Sequence, residues 1–213
     1  MAIVFRSIKY NIKVDSNKII GVMGNYKEFL LSLTGSNVYY IDNKVITSNK
    51  KVYELLNKEV IKDFNLRENL LNRKINELSH SEQKLLKYML MILSNKKIIV
   101  IDEPFMDLDY SNKKKIILLF NRLIKEKKTI IIGSSDSNTI YQYCKKVLFI
   151  NNNDYYYDDI NVFKDSKLLK KYHISMPNLV KFVELARDKD IKLKYSQDIR
   201  ELIKDVYRNV SKK

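Results

Sequence analysis

Two acids close an apolar run in Ile98-Ile99-Val100-Ile101-Asp102-Glu103-Pro104. In a parallel α/β sheet, ligands bind just beyond the carboxyl ends of the strands. At such a position Asp102 suits orienting Mg2+ through water, and Glu103 suits polarising a water that attacks a phosphate. An acidic strand ending is also common where nothing is catalysed. Upstream, Leu78-Ser79-His80-Ser81-Glu82 opens a helix. Ser79 and Glu82 have the spacing of a capping box, which needs no ligand at all. Nearer the N-terminus, Gly21-Val22-Met23-Gly24-Asn25-Tyr26-Lys27-Glu28 follows the first buried run. A working phosphate loop reads G-x-x-x-x-G-K-[S/T], and its glycines let backbone N–H groups wrap the phosphates. Gly21, Gly24 and Lys27 match that form. Tyr26 stands where the last glycine belongs, and a left-handed backbone there would cost about 1–2 kcal/mol. Glu28 replaces the hydroxyl that ligates Mg2+. A carboxylate can bind magnesium, but beside a phosphate it chiefly repels.

The elements that must position these residues follow from hydrophobic period. Ile8, Tyr10, Ile12 and Val14 alternate with polar residues, as in a half-buried antiparallel strand. Ile19–Val22 reads as a buried strand, and the spacing predicts a helix over Lys27–Leu33. Val38–Tyr40 and Lys44–Thr47 flank Asp42-Asn43, a hairpin signal. Helices are expected near Leu66–Asn72 and from Ser81 to Leu93, the latter with Leu85, Leu86, Met89, Leu90 and Leu93 on one face. Strands at Ile98–Ile101, Thr129–Ile132 and Val147–Ile150 then alternate with helices at Asn112–Ile124 and Thr139–Cys144. The last strand turns through Asn151–Asn153 into Tyr155–Tyr157. Apolar strands alternating with helices imply an α/β fold whose mainly parallel sheet is covered on both faces. From Asp165 onward the chain is helical. Pro177 starts a helix bearing Leu179, Phe182, Val183 and Ala186, and a last helix carries Ile199, Leu202, Ile203 and Val206. The boundary falls near Lys164, giving units of 1–164 and 165–213.

Composition narrows the classes. The chain has 213 residues, 45% hydrophobic, enough for one globular core. No signal pattern opens it, and no run approaches the ~20 apolar residues of a membrane span. The single cysteine, Cys144, excludes an internal disulfide and reads as a small core residue in a reducing cytosol. The net charge of +15 is spread along the chain and mixed with Asn, Ile and Tyr. It reads as a bias of composition, and no direct nucleic-acid partner is expected.

Taken together the motifs resemble those of the ATP-binding cassette (ABC) ATPases. In that family a Leu-Ser-Gly-Gly-Gln signature opens the helix leading to the strand with the Walker B acids. The 24 residues from Leu78 to Asp102 match the family's usual spacing. Pro104-Phe105-Met106-Asp107-Leu108-Asp109 resembles the D-loop, with Asp109 as its acid. The resemblance makes 21–28 a degenerate Walker A, with Gly21, Gly24, Asn25, Tyr26, Lys27 and Glu28 as nucleotide-binding positions. Ser135 stands at the place of the switch histidine, and Asn57 is the best match to the Q-loop glutamine. Phe5 and Tyr10 are the only aromatics near the place of an adenine stacker. The segment from Asn57 to Leu78 is short, implying a reduced helical subdomain beside the N-terminal antiparallel β part.

Resemblance to the cassette family covers roughly Ile8–Phe163. Beyond it, Asp165-Ser166-Lys167-Leu168-Leu169, Ile174-Ser175-Met176-Pro177 and Ile199-Arg200-Glu201-Leu202 look like the tail of energy-coupling-factor (ECF) transporter ATPases. The resemblance implies a P-loop fold using ATP and Mg2+, with Glu103, Asp102 and Ser135 at the catalytic positions and Asp102 toward the metal. It implies pairing with another cassette ATPase, as a heterodimer or homodimer, beneath a multi-span membrane component. The place of action is then the cytoplasmic face of the cell membrane. In such a pair, Ser79, His80, Ser81 and Glu82 of this chain would face the partner's nucleotide. Two other readings stay open: a non-catalytic interaction module, and a cassette protein acting on ribosomes or DNA.

Overall fold

The computed structural model describes residues 2–6, 11–66, 68–152 and 154–210. Ile8, Tyr10 and Asn153, named above, lie outside the described residues, as does the side chain of Phe5. β1 (Ala2–Arg6) pairs antiparallel with β2 (Asn11–Asp15), whose Ile12 and Val14 are buried as the alternation predicts. β3 (Ile19–Gly24) leads into α1 (Tyr26–Ser32), then β4 (Val38–Ile41), α2 (Lys58–Asp63), α3 (Glu68–Leu71) and α4 (His80–Ser94). β5 (Ile98–Asp102), α5 (Tyr110–Lys125), β6 (Thr129–Gly133), α6 (Ser137–Tyr143) and β7 (Lys146–Asn151) continue the α/β alternation. β8 (Asp154–Asp159) follows, then α7 (Ser166–Lys171), α8 (Asn178–Arg187) and α9 (Ile199–Val210).

The main sheet has the order β4-β5-β6-β3-β7-β8. All neighbours are parallel except β7 and β8. Because side chains alternate across a strand, each central strand feeds two cores. Ile99, Ile101, Ile130, Ile132, Val147 and Phe149 face α4, α5 and α6. Val100, Ile131, Leu148, Ile20 and Val22 face α1 and β2. Burying each such side chain stabilises the fold by about 1.5–3 kcal/mol. The tail joins the first of these cores through Leu169, Tyr172, Ile174 and Val180. Val183, Ala186, Leu193 and Leu202 form a separate small cluster. Cys144 is fully buried beneath α6, and burial pushes its thiol well above the ordinary range.

Several expectations change. The hairpin around Asp42-Asn43 does not form: β4 is an edge strand parallel to β5, and residues 44–47 are irregular. α4 takes the polar groups a second strand would have used. Lys87 Nζ donates to the carboxylate and carbonyl of Asp42 and the carbonyl of Lys44, while Gln83 accepts from the Ile46 N–H at 2.8 Å. The helix near Leu66–Asn72 shrinks to α3, and α2 precedes it unforeseen. Leu93, at the end of α4, and Phe182 on α8 are exposed rather than buried. On α9 Leu202 is the one buried residue among those whose side chains are described, while Ile199 and Ile203 face solvent. With so few glycines, asparagines take left-handed positions, as at Asn95, the C-cap of α4 (φ 50°).

Candidate functional site

The carboxyl ends of β3, β5 and β6 open into a cleft of about 1040 Å3. Gly24, Tyr26, Lys27, Glu103 and Ser135 line it, so the topology gathers most of the chemistry-bearing residues at one end of the sheet. Their arrangement differs from a phosphate loop. β3 runs through Gly24, paired with β6 at Ile19–Val22 and with β7 at Ile20–Gly24. Asn25 donates its N–H to Ile150 O at 2.8 Å, and α1 begins at the next residue. The backbone of Gly21–Gly24 is thus taken up by the sheet, and a single residue joins strand to helix.

The glycines serve packing. A Cβ on Gly21 would collide with Ile140 of α6, and one on Gly24 (φ 83°) would collide with Ile150 O. A Cβ on Gly133 would collide with Leu30 Cδ1 and lie only 2.6 Å from Cε2 of the Tyr26 ring. Gly133 therefore clears the space that Tyr26 fills.

From that space the Tyr26 hydroxyl reaches Glu103 Oε1 at 2.9 Å and Asp102 Oδ1 at 3.2 Å. Burial and the two carboxylates hold the phenol protonated far above its ordinary range. Glu103 accepts three further bonds: from Ser134 Oγ (2.7 Å), the Ser135 N–H (2.7 Å) and Ser135 Oγ (2.9 Å). Both carboxylate oxygens are engaged, and a general base needs a lone pair aimed at water. The backbone of Glu103 is left-handed (φ 44°), a conformation that costs about 1–3 kcal/mol and persists only when its surroundings hold it. Lys84 supplies that hold. Its ammonium donates to the carbonyls of Asp102 (3.1 Å) and Glu103 (3.0 Å) and to Asn43. Burial, with Lys87 alongside, pulls Lys84 down to about 8.

The other motif residues act as helix caps. Ser79 accepts from the Glu82 N–H at 3.3 Å, and Glu82 returns a bond to the Ser79 N–H at 2.8 Å. Burial raises Glu82, but its bonds to Ser79 and the neighbouring Arg73 outweigh that and hold it below the usual carboxylate range. His80 and Ser81 are the first two residues of α4, and His80 is exposed, 4.0 Å from Asp107. Asp109 caps α5 through the Asn112 N–H at 2.7 Å. Asn57 caps α2 through the Val60 N–H at 3.0 Å and does not line the cleft, whereas Asn43 does. Lys27 and Glu28 are exposed on the first turn of α1. Asn43, Lys84 and Ser134 were not singled out from the sequence. Lys84 had a signal: it heads an i, i+4, i+7 row with Tyr88 and Met91, all three buried.

Mg-ATP does not fit these residues as they stand. β3 is paired through Gly24 and the Asn25 N–H is bonded to Ile150 O, so no loop is left to wrap the phosphates, and a phenol occupies the acids that would serve the metal. Among the described residues no three His, Cys, Asp or Glu side chains converge on a metal-sized site. No described helix is long and apolar enough to cross a membrane.

No protein-family profile matches the chain. The zinc import ATP-binding protein ZnuC of Ehrlichia chaffeensis is 32% identical over 120 residues, 56% of this chain and 48% of that protein. The chain thus spans about half the length of this curated relative. Among solved structures, a metal-chelate type ABC transporter in an inward-facing conformation superposes with a TM-score of 0.63 at 18% identity, over 77% of this chain and 81% of the other. An ATP-binding cassette of an ABC transporter in its ADP conformation gives 0.61 at 14% identity, over 77% and 90%. A dimeric cassette bound to ADP and Pi gives 0.59 at 14% identity, over 75% and 96%. At these identities the structures establish the fold, and the matched 120 residues add a relationship in sequence. The fold is that of the ATP-binding cassettes, and the motif order and spacing resemble those of the ATP-binding cassette ATPases.

Proposed function

We propose that this chain is a non-hydrolysing cassette subunit of an ABC transporter, of the ECF kind suggested by its tail. It pairs with a second, intact cassette ATPase beneath a membrane component, and Mg-ATP, for which its own cleft is not shaped as it stands, binds there no more tightly than about 1 mM. The observation that carries this reading is the Tyr26 phenol on Glu103 and Asp102. What the chain keeps is the start of α4. A helix leaves its first N–H groups without intrahelical partners, and its dipole favours an anion there. Ser79 caps the N–H of Glu82, leaving those of His80 and Ser81 directed out of the helix end, toward a partner's nucleotide. The test is ATP turnover by the assembly purified with its partner subunits. Glu103→Gln in this chain leaves turnover unchanged, and Ser79→Glu lowers it sharply by setting like charge against phosphate. Loss of turnover in Glu103→Gln with none in Ser79→Glu would place hydrolysis at this chain's own cleft and refute the reading.

A second reading, an interaction module outside transport, draws on the short α2 and α3, of 6 and 4 residues, where a membrane partner would dock. Copurification of soluble proteins without any membrane component would favour it.

A further inference from the structure

A second concavity, of about 720 Å3, lies between the start of α5, the end of α6 and the start of α9. Its cations are Lys113, Lys114, Lys145 and Arg200, and the one acid in its lining is Asp198. Arg200 forks Asp198 at 2.8 and 3.2 Å, so the net positive charge of the lining comes from Lys113, Lys114 and Lys145. Two aromatics stand among these cations. Tyr110, the first residue of α5, is 84% exposed, an unusual position for so large a ring. Tyr143 carries the Lys113 ammonium 5.6 Å above its ring, and the same ammonium sits 4.8 Å above Phe105. Lys113 also lines the cleft at the sheet end, so groove and cleft adjoin.

The groove is built rather than incidental. Gln197 donates its amide to the carbonyls of Tyr141 and Cys144 (2.8 Å for the latter), capping the end of α6. The same side chain accepts from Lys145 Nζ at 2.9 Å, which aims that ammonium along the wall. A chain of net charge +15 repels a second copy of itself, so the occupant is an anion of another kind. One open aromatic face, that of Tyr110, set beside lysines in a concave track matches one class of anion. Single-stranded nucleic acid presents a phosphate backbone to cations and base faces to exposed rings.

We propose that the groove between α5, α6 and α9 binds single-stranded nucleic acid, with Tyr110 as a base-stacking platform and Lys114, Lys145 and Arg200 on the backbone. The proposal stands apart from the transporter reading, because none of those four residues lines the cleft. Fluorescence anisotropy of the full chain with short labelled oligo(U) and oligo(dT) tests it. Binding should weaken steeply as salt rises from about 50 to about 200 mM. Tyr110→Ala and Lys114→Glu should each weaken it about tenfold, and Tyr110→Phe should keep it, because the ring is retained. Both positions are exposed, and thermal melts of each variant confirm that it folds. Lys58→Glu on α2, outside the groove, makes the same change in net charge and should have little effect. Failure of both oligonucleotides to bind overturns the proposal. So do full affinity in Tyr110→Ala, equal loss in Lys58→Glu, equal binding of a duplex, and displacement by poly-glutamate at matched charge.

Discussion

The Tyr26 hydroxyl lies 2.9 Å from Glu103 Oε1, so the acid that follows β5 is held by the first residue of α1. Strand β3 carries Tyr26 to this point by pairing through to Gly24 before α1 begins. The same contact ties α1 to the ends of β5 and β6 and makes the cleft part of the fold's stability.

Removing the phenol should therefore destabilise the protein. In Tyr26→Phe, Asp102 and Glu103 lose a donor in a partly buried site, costing about 1–3 kcal/mol. Urea unfolding monitored by circular dichroism reads this as a lower midpoint at unchanged slope. An unchanged midpoint would mean that water replaces the hydroxyl without loss.

Gly133→Ala should be costly for a reason that Tyr26 controls. The added methyl meets the Tyr26 ring and Leu30, and overpacking of this kind costs about 1–3 kcal/mol. With Tyr26→Ala already present, the second substitution should cost clearly less. A double-mutant cycle in urea measures the difference, and additivity would remove Tyr26 as the reason for the glycine.

Much of this arrangement was legible in the sequence. Apolar runs at Ile98–Ile101 and Thr129–Ile132 and the spacing from Leu78 to Asp102 are local properties, and they placed the sheet and the acids at its end. The Ser79–Glu82 capping box was legible for the same reason and is observed. The role of Tyr26 was not, because it depends on how far β3 pairs with β7 and on an empty space left by Gly133, both far away in sequence. The place of Asn43 was not legible either, for lack of a register. Only the pairing of β4 with β5 brings Asn43 to the cleft.

Lys84 gives the protein a pH dependence of definite sign. Burial lowers its folded-state value from 10.5 to about 8, so between these values the unfolded chain binds more protons. Stability from this group therefore rises as pH climbs from about 8 to about 10.5, by at most about 3 kcal/mol. Comparing wild type with Lys84→Met across that window isolates the group. The difference between the two proteins should shift toward the wild type as pH rises, and a flat difference would show that Lys84 titrates normally.

Ser79→Ala should cost about 1 kcal/mol through loss of the cap on α4. Ser79→Asp keeps an acceptor for the Glu82 N–H and should restore most of it. Thermal melts at neutral pH compare the two, and equal losses would deny the hydroxyl a capping role.

Calorimetric titration of Mg-ATP into the isolated chain tests most directly whether the cleft is closed to the phosphate chain. With β3 paired through Gly24 and Tyr26 on the two acids, the expected affinity is no tighter than about 1 mM. Magnesium-dependent binding in the micromolar range would contradict it, because it would require the segment around Tyr26 to leave the sheet and form a working phosphate loop.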